Sequence, residues 1–170
     1  KYEADAIAGQ KDFYNSSSFF PGDTANAKTL FDGSPLNRIL EQGAPGKYWQ
    51  PSDSSNADSG HTVKYEYLTN VSYEVLLWKV SGDNLVNTGG VTHNSHHYYP
   101  SNTLYKTVTK DENWKSTGKL HTSEEFKDLQ GNIILKRTFV KSGSDTLSLD
   151  TYYVYDYLNL LRYVLPPKAF

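Results

Sequence analysis

Three times in the last third of the chain, a run rich in β-branched and aromatic residues is followed by an aspartate and, three residues later, by a turn position. Thr103–Thr109 leads to Asp111-Glu-Asn-Trp114, Glu125–Lys127 leads to Asp128-Leu-Gln-Gly131, and Tyr153–Tyr155 leads to Asp156-Tyr-Leu-Asn159. An aspartate at the head of a turn accepts hydrogen bonds from the backbone it opens, and the fourth position needs positive φ, free for Gly and tolerated by Asn. Each unit therefore predicts a β-hairpin built around Asp111, Asp128 with Gly131, or Asp156 with Asn159. A strand follows each time: Ser116 to His121, Asn132 to Val140, and Leu160 to Leu165, with another turn at Lys141–Asp145. One hairpin cannot bury its apolar face alone, so chained hairpins must add strands to a growing antiparallel sheet.

Composition agrees. With 170 residues, 14 Tyr, 7 Phe and 3 Trp, the chain suits pleated, half-buried surfaces, and the expectation is a single all-β domain over residues 1–170. A net charge of -2 and pI near 6.2 provide no whole-chain field to gather nucleic acid. The absence of Cys removes disulfides, thiolate nucleophiles and Cys-based zinc sites together. No apolar run reaches the roughly 20 residues that a membrane span requires.

Residues 1–60 read as loop-rich. Phe13, Tyr14, Phe19 and Phe20 are assigned to packing on a later sheet. Ser34-Pro-Leu-Asn-Arg-Ile-Leu-Glu-Gln-Gly43 predicts a short helix over 35–42, with Ser34 as cap, Pro35 at the first position and Gly43 at its end. The polar stretch from Ser52 to Gly60 has nothing to bury and is expected to be mobile. Residues 61–86 predict a hairpin: Val63, Tyr65 and Tyr67 alternate with polar positions, Tyr73–Val80 carries apolar residues on both faces like a central strand, and Leu85 and Val86 pair back beyond Ser81–Asn84. Residues 87–102 read as an exposed loop, and 103–170 as the repeated hairpins.

The strand-Asp-x-x-Gly-x-strand unit resembles the YD repeat of the RHS proteins, large bacterial surface or secreted proteins. Ser34–Gly46, Gly60-His-Thr-Val63, Asp111-Glu-Asn113, Asp150–Asp156 and Leu161-Arg-Tyr-Val-Leu-Pro-Pro167 are similar to a Bacteroidota-type segment early in the repeat region. Trp114 and Asn159 depart from the pattern by standing where the repeat usually has Gly. The resemblance implies a non-catalytic structural segment at the cell surface or outside the cell, contributing to a β-strip or shell. It further implies that the partners are the rest of a longer parent polypeptide and a C-terminal toxin or cargo domain, with no cofactor, no nucleic acid and no membrane span in this segment.

Three chemical alternatives remain from the residues. His93, His96 and His97, with His61 and His121 elsewhere, are weak metal candidates, because clustered imidazoles favour zinc, copper or nickel, yet their spacing matches no established ligand pattern. Asp111 with Glu112, Glu124 with Glu125, and Asp150 with Asp156 could serve a hydrolase only if a cleft held two carboxyls at catalytic separation. Trp49 and Trp114 are candidate binding aromatics for a surface glycan- or protein-binding module, whereas Trp78 is expected in the core. Asn15-Ser-Ser17 and Asn70-Val-Ser72 match the glycosylation acceptor pattern.

Overall fold

The computed structural model describes residues 5–16, 26–52, 60–115 and 118–167. Phe19, Phe20, the side chain of Tyr14 and most of the 52–60 stretch lie outside the described residues. Among the described residues the chain is all-β apart from the α-helix α1 (Ala6–Ser16) and a 3-10 turn, and its strands join as antiparallel hairpins. It divides into two compact units, residues 1–65 with 110–115 and residues 66–109 with 116–170.

In the first unit β1 (Lys28–Phe31) pairs antiparallel with β2 (Ile39–Gly43), and β2 pairs with the start of β3 (Val63–Thr69). The expected helix over 35–42 is therefore corrected to a turn and a strand. Asp32 decides the matter. Its carboxylate accepts hydrogen bonds from Ser34 N and Oγ and from Arg38 N and Nε, and its own N–H donates to Arg38 O at 2.8 Å. This closes a turn in which Asn37 sits at φ 46, a conformation that no helix continues through. Two helical turns are marginal in isolation, so the locally capped turn and the ladder to Lys28–Phe31 win. The Arg38 guanidinium, and after it the Ser34 hydroxyl, hold the Asp32 carboxyl down at about 2 against its slight desolvation. Gly43 ends a strand, and it is glycine because a Cβ there would stand 2.5 Å from Trp49 O. The helix that does form, α1, has no acidic residue in its first turn and no basic one in its last, so nothing at its termini announces it. Phe13, expected to pack, is 65% exposed.

In the second unit the end of β3 lies beside β8 (Tyr105–Lys110), followed in order by β9 (Thr122–Lys127), β10 (Ile133–Ser142), β11 (Asp145–Tyr155) and β12 (Leu161–Leu165). The 118–121 segment is a turn with His121 at φ 63, so the strand expected over 116–121 begins instead at Thr122; residues 116 and 117 lie outside the described set. β10 and β11 run in unbroken register from Leu135↔Tyr152 to Ser142↔Asp145. One face buries Leu104, Phe126, Ile134, Leu135 and Tyr152.

The lid of that core is the excursion from Asn70 to Leu104. Its base is closed by Asn70, which is fully buried: Oδ1 accepts from Thr103 N (2.9 Å) and Leu104 N (2.8 Å), and Nδ2 donates to Pro100 O (2.7 Å). Val75 then drops into the core, with the partly buried Leu76 and Trp78 packed against it, and Leu77 is buried beside them. The Tyr73–Val80 reading is corrected here, because Tyr73 takes φ 61 and only β4 (Trp78–Ser81) is a strand; it pairs with β5 (Asn84–Asn87) in a two-stranded hairpin. The hairpin expected over 61–86 is thus two structures, β3 in the main sheets and the β4–β5 pair. The exposed loop expected over 87–102 is also corrected: β6 (Val91–His93) and β7 (His96–Tyr98) form a hairpin through Asn94 and Ser95, both at positive φ. That is the twist-matched two-residue turn, made with Ser where Gly is usual. Asn87 binds the two small hairpins together, accepting from His97 N and donating to Leu77 O and His97 O.

Candidate functional site

Asp128 and Asp156 open turns with the same bonding. In one, Asp128 Oδ1 accepts from Gln130 N (3.0 Å) and Asn132 N (2.8 Å), while Gly131 N donates to Asp128 O. In the other, Asp156 Oδ1 accepts from Leu158 N (2.9 Å) and Leu160 N (3.0 Å), while Asn159 N donates to Asp156 O. The fourth positions share one backbone conformation, Gly131 at φ 90 and Asn159 at φ 65. Backbone hydrogen bonds from Leu160 and Leu158 hold the Asp156 carboxyl below the ordinary range. The two turns touch: Asn132 Nδ2 donates to Asn159 Oδ1 at 2.7 Å. Asp111 differs. Asn113 N reaches its Oδ1 and Trp114 N its carbonyl, but Trp114 keeps negative φ, so this turn is not a third copy of the arrangement.

The carboxylates suggested for hydrolysis are occupied otherwise. Glu124 and Glu125 are neighbours on β9 and therefore point to opposite faces. Glu124, 2% exposed, lies in a row of alternating charge crossing four strands: Lys106, Glu124, Arg137, Asp150. Register places Arg137 opposite both Glu124 and Asp150, and the guanidinium holds Asp150 through two 2.7 Å bonds. From the excursion, Glu74 takes Lys106 Nζ at 2.5 Å and offers its carbonyl to Arg137 Nη2. Burial pushes the Glu124 carboxyl up, but Lys119, 2.7 Å away, and Lys106 outweigh it and hold it below its usual range. Burial opposes the Arg137 charge, yet Asp150 raises its pKa further. Burial likewise pushes the Tyr152 hydroxyl up to about 12 while it accepts from Leu76 N. A carboxylate paired with three cations is a poor proton donor at neutral pH, so the row suits cohesion of sheet and excursion better than acid–base chemistry.

The three histidines share the β6–β7 hairpin, His93 standing opposite His96, but their rings go to separate partners. His93 stacks on Tyr73 with ring centroids 4.4 Å apart, His96 Nδ1 contacts Asn94 O, and His97 Nδ1 contacts Gly89 O. Among the described residues, no group of three or more His, Asp or Glu is placed to hold a metal ion. Asn70, the acceptor position of one glycosylation triplet, is buried and fully bonded, which leaves no room for a glycan in the folded chain.

Trp49 and Trp114 both fall in the first unit, in a cluster of three loops. A 3-10 turn, Lys47–Trp49, is tied to the 60–61 segment by Gly60 N to Gln50 O (2.8 Å) and His61 N to Tyr48 O (3.1 Å). The His61 ring meets Trp49 edge-on at 5.9 Å, and its Nδ1 lies 3.2 Å from Glu112 O in the turn that carries Trp114. Trp49 remains 44% exposed and Tyr48 47% exposed, while Trp114 is half-buried with Lys110 Nζ 4.1 Å from its ring centre. Within the second unit, a trough of about 230 Å³ is lined by Thr107, Thr109, Ser123, Glu124, Glu125, Lys136, Arg137 and Thr138. The charge row was not anticipated from sequence, although two of its four members interrupt an apolar alternation: Lys106 between Leu104 and Val108, and Arg137 between Leu135 and Phe139.

No helix among the described residues is long and apolar enough to cross a membrane. Comparison with known proteins adds one partial likeness: residues 1–76, less than half of the chain, match the family model for a domain of unknown function, DUF6443. No curated protein and no solved structure matches the chain.

Proposed function

We propose that this chain is a structural segment of a YD-repeat protein of the RHS type, displayed at the cell surface or secreted, and that it contributes hairpins to a β-strip without catalysing a reaction. The observation that carries this reading is the equivalence of the Asp128 and Asp156 turns, joined side by side through Asn132 and Asn159. Side-by-side turns of one design are what a strip needs if each hairpin is to dock on the one before it. The charge row serves the same end, because it ties four strands and the covering excursion with paired ions that would be costly to separate.

Among the described residues strand β12 is an edge, paired on one side with β11. In the strip reading its outward N–H groups are bonded in the parent polypeptide. Hydrogen exchange of residues 161–165 in this chain and in the full-length parent tests that. Slow exchange of the outward amides in the parent and fast exchange here is the expected result; fast exchange in both would overturn the strip reading.

A further inference from the structure

We propose that the loop cluster around Trp49, His61 and Trp114 is an oligosaccharide-binding site, with a pyranose ring stacked on Trp49. The inference is independent of the strip reading, since it concerns the first unit's loops and no repeated turn.

The platform is held before any ligand arrives. Gly43 lets the Trp49 backbone seat against β2, where a Cβ would collide with Trp49 O, and Pro51 beside it is buried. The His61 ring braces the tryptophan at 5.9 Å with the ring planes 60° apart, and Trp49 keeps 44% of its surface exposed. An exposed indole on a loop fixed by backbone hydrogen bonds loses little entropy on binding, and the apolar face of a sugar ring is the complementary surface. Around it stand groups that recognise hydroxyls. His61 is exposed with Nδ1 3.2 Å from Glu112 O, and Glu112 and the exposed Asn113 follow on the adjoining turn. Two ammonium groups sit over aromatic rings at this cluster, Lys47 over Tyr48 at 5.1 Å and Lys110 over Trp114 at 4.1 Å, so acidic sugars are as well provided for as neutral ones. The residues come from positions 47–50, 60–61 and 110–114, three stretches that only the fold brings together.

The test is a titration of the whole chain with cellohexaose, laminarihexaose and a galacturonic acid hexamer, each up to about 10 mM. It is read by tryptophan fluorescence and by amide NMR shifts at residues 47–50, 60–62 and 111–114. The expected result is saturable binding of at least one oligosaccharide. That binding should weaken about tenfold in Trp49→Ala and several-fold in His61→Ala, as loss of a stacking ring and its brace requires. Tyr157→Ser, which removes an aromatic ring 94% exposed in the second unit, should bind like the parent chain. Unchanged circular dichroism and urea midpoint in Trp49→Ala would show that the loss is local; should that variant unfold, Trp49→Phe with intermediate affinity takes its place. Absence of any saturable response to all three sugars, or binding that Trp49→Ala leaves intact, would overturn the proposal.

Discussion

Replacing Asn70 with alanine should open the base of the 70–104 excursion. The side chain satisfies three backbone groups, Pro100 O, Thr103 N and Leu104 N, at 2.7, 2.9 and 2.8 Å. Leu104 is 1% exposed, so its N–H would lose its bond without gaining water, at a cost of about 2 kcal/mol. Pro100 and Thr103 are exposed, and their groups would recover water at roughly 0.5–1 kcal/mol each. The sum is about 3–4 kcal/mol, a large share of the ~5–15 kcal/mol that holds a typical domain together. At a urea m-value near 2 kcal/mol/M this is a fall of about 1.5–2 M in the unfolding midpoint. Asn70→Asp keeps both acceptor contacts but sets a buried carboxylate oxygen against Pro100 O, so at pH 7 it should be at least as unstable as Asn70→Ala. Equilibrium urea unfolding followed by tryptophan fluorescence measures all three proteins. A midpoint for Asn70→Ala within about 0.3 M of the parent chain would refute the claim that this residue closes the excursion.

Other consequences follow from the same geometry. Because the folded Glu124 carboxyl titrates below its ordinary 4.5, its contribution to stability is complete above that value and is lost as pH falls through the folded pKa. The urea midpoint should therefore drop on acidification below about pH 4.5, and Glu124→Gln, less stable at pH 7, should converge on the parent chain there; parallel curves would refute the assignment. Gly90→Ala and Gly143→Ala both place a Cβ at positive φ, 61 and 60, but only the first drives it into Tyr98 O. Thermal unfolding should show a loss of about 1 kcal/mol for Gly143→Ala and at least twice that for Gly90→Ala.

What could be read from sequence was what is local. At Asp128 and Asp156 the acceptor and the donors it binds are at most four residues apart, so spacing alone specifies the turn. The all-β character followed from residue types suited to pleated surfaces. The helix expected over 35–42 failed for the opposite reason: its cap and stripe signals are local, whereas the partner of Ile39–Gly43 is Lys28–Phe31, reached through a turn that Asp32 organises from outside the motif. Likewise the β6–β7 hairpin was hidden because Asn94-Ser95 is an uncommon choice for a two-residue turn. The charge row runs across the strands, joining positions from 74 to 150, and has no period along the chain. The cluster of Trp49, His61 and Trp114 was half legible, since both tryptophans stood out beside loop residues but the histidine that joins their loops did not.

The most direct test of the repeated unit is to exchange one turn for the other. Tyr157→Leu, Leu158→Gln, Asn159→Gly and Leu160→Asn together write the Asp128–Asn132 sequence into the Asp156 turn, whose Asp156 Oδ1 bonds to residues 158 and 160 need only backbone N–H groups. If the two turns are copies of one design, the urea midpoint of the fourfold variant corresponds to a stability within about 1 kcal/mol of the parent chain. A loss of about 3 kcal/mol or more would contradict that equivalence, and with it the reading of this chain as a run of interchangeable hairpins.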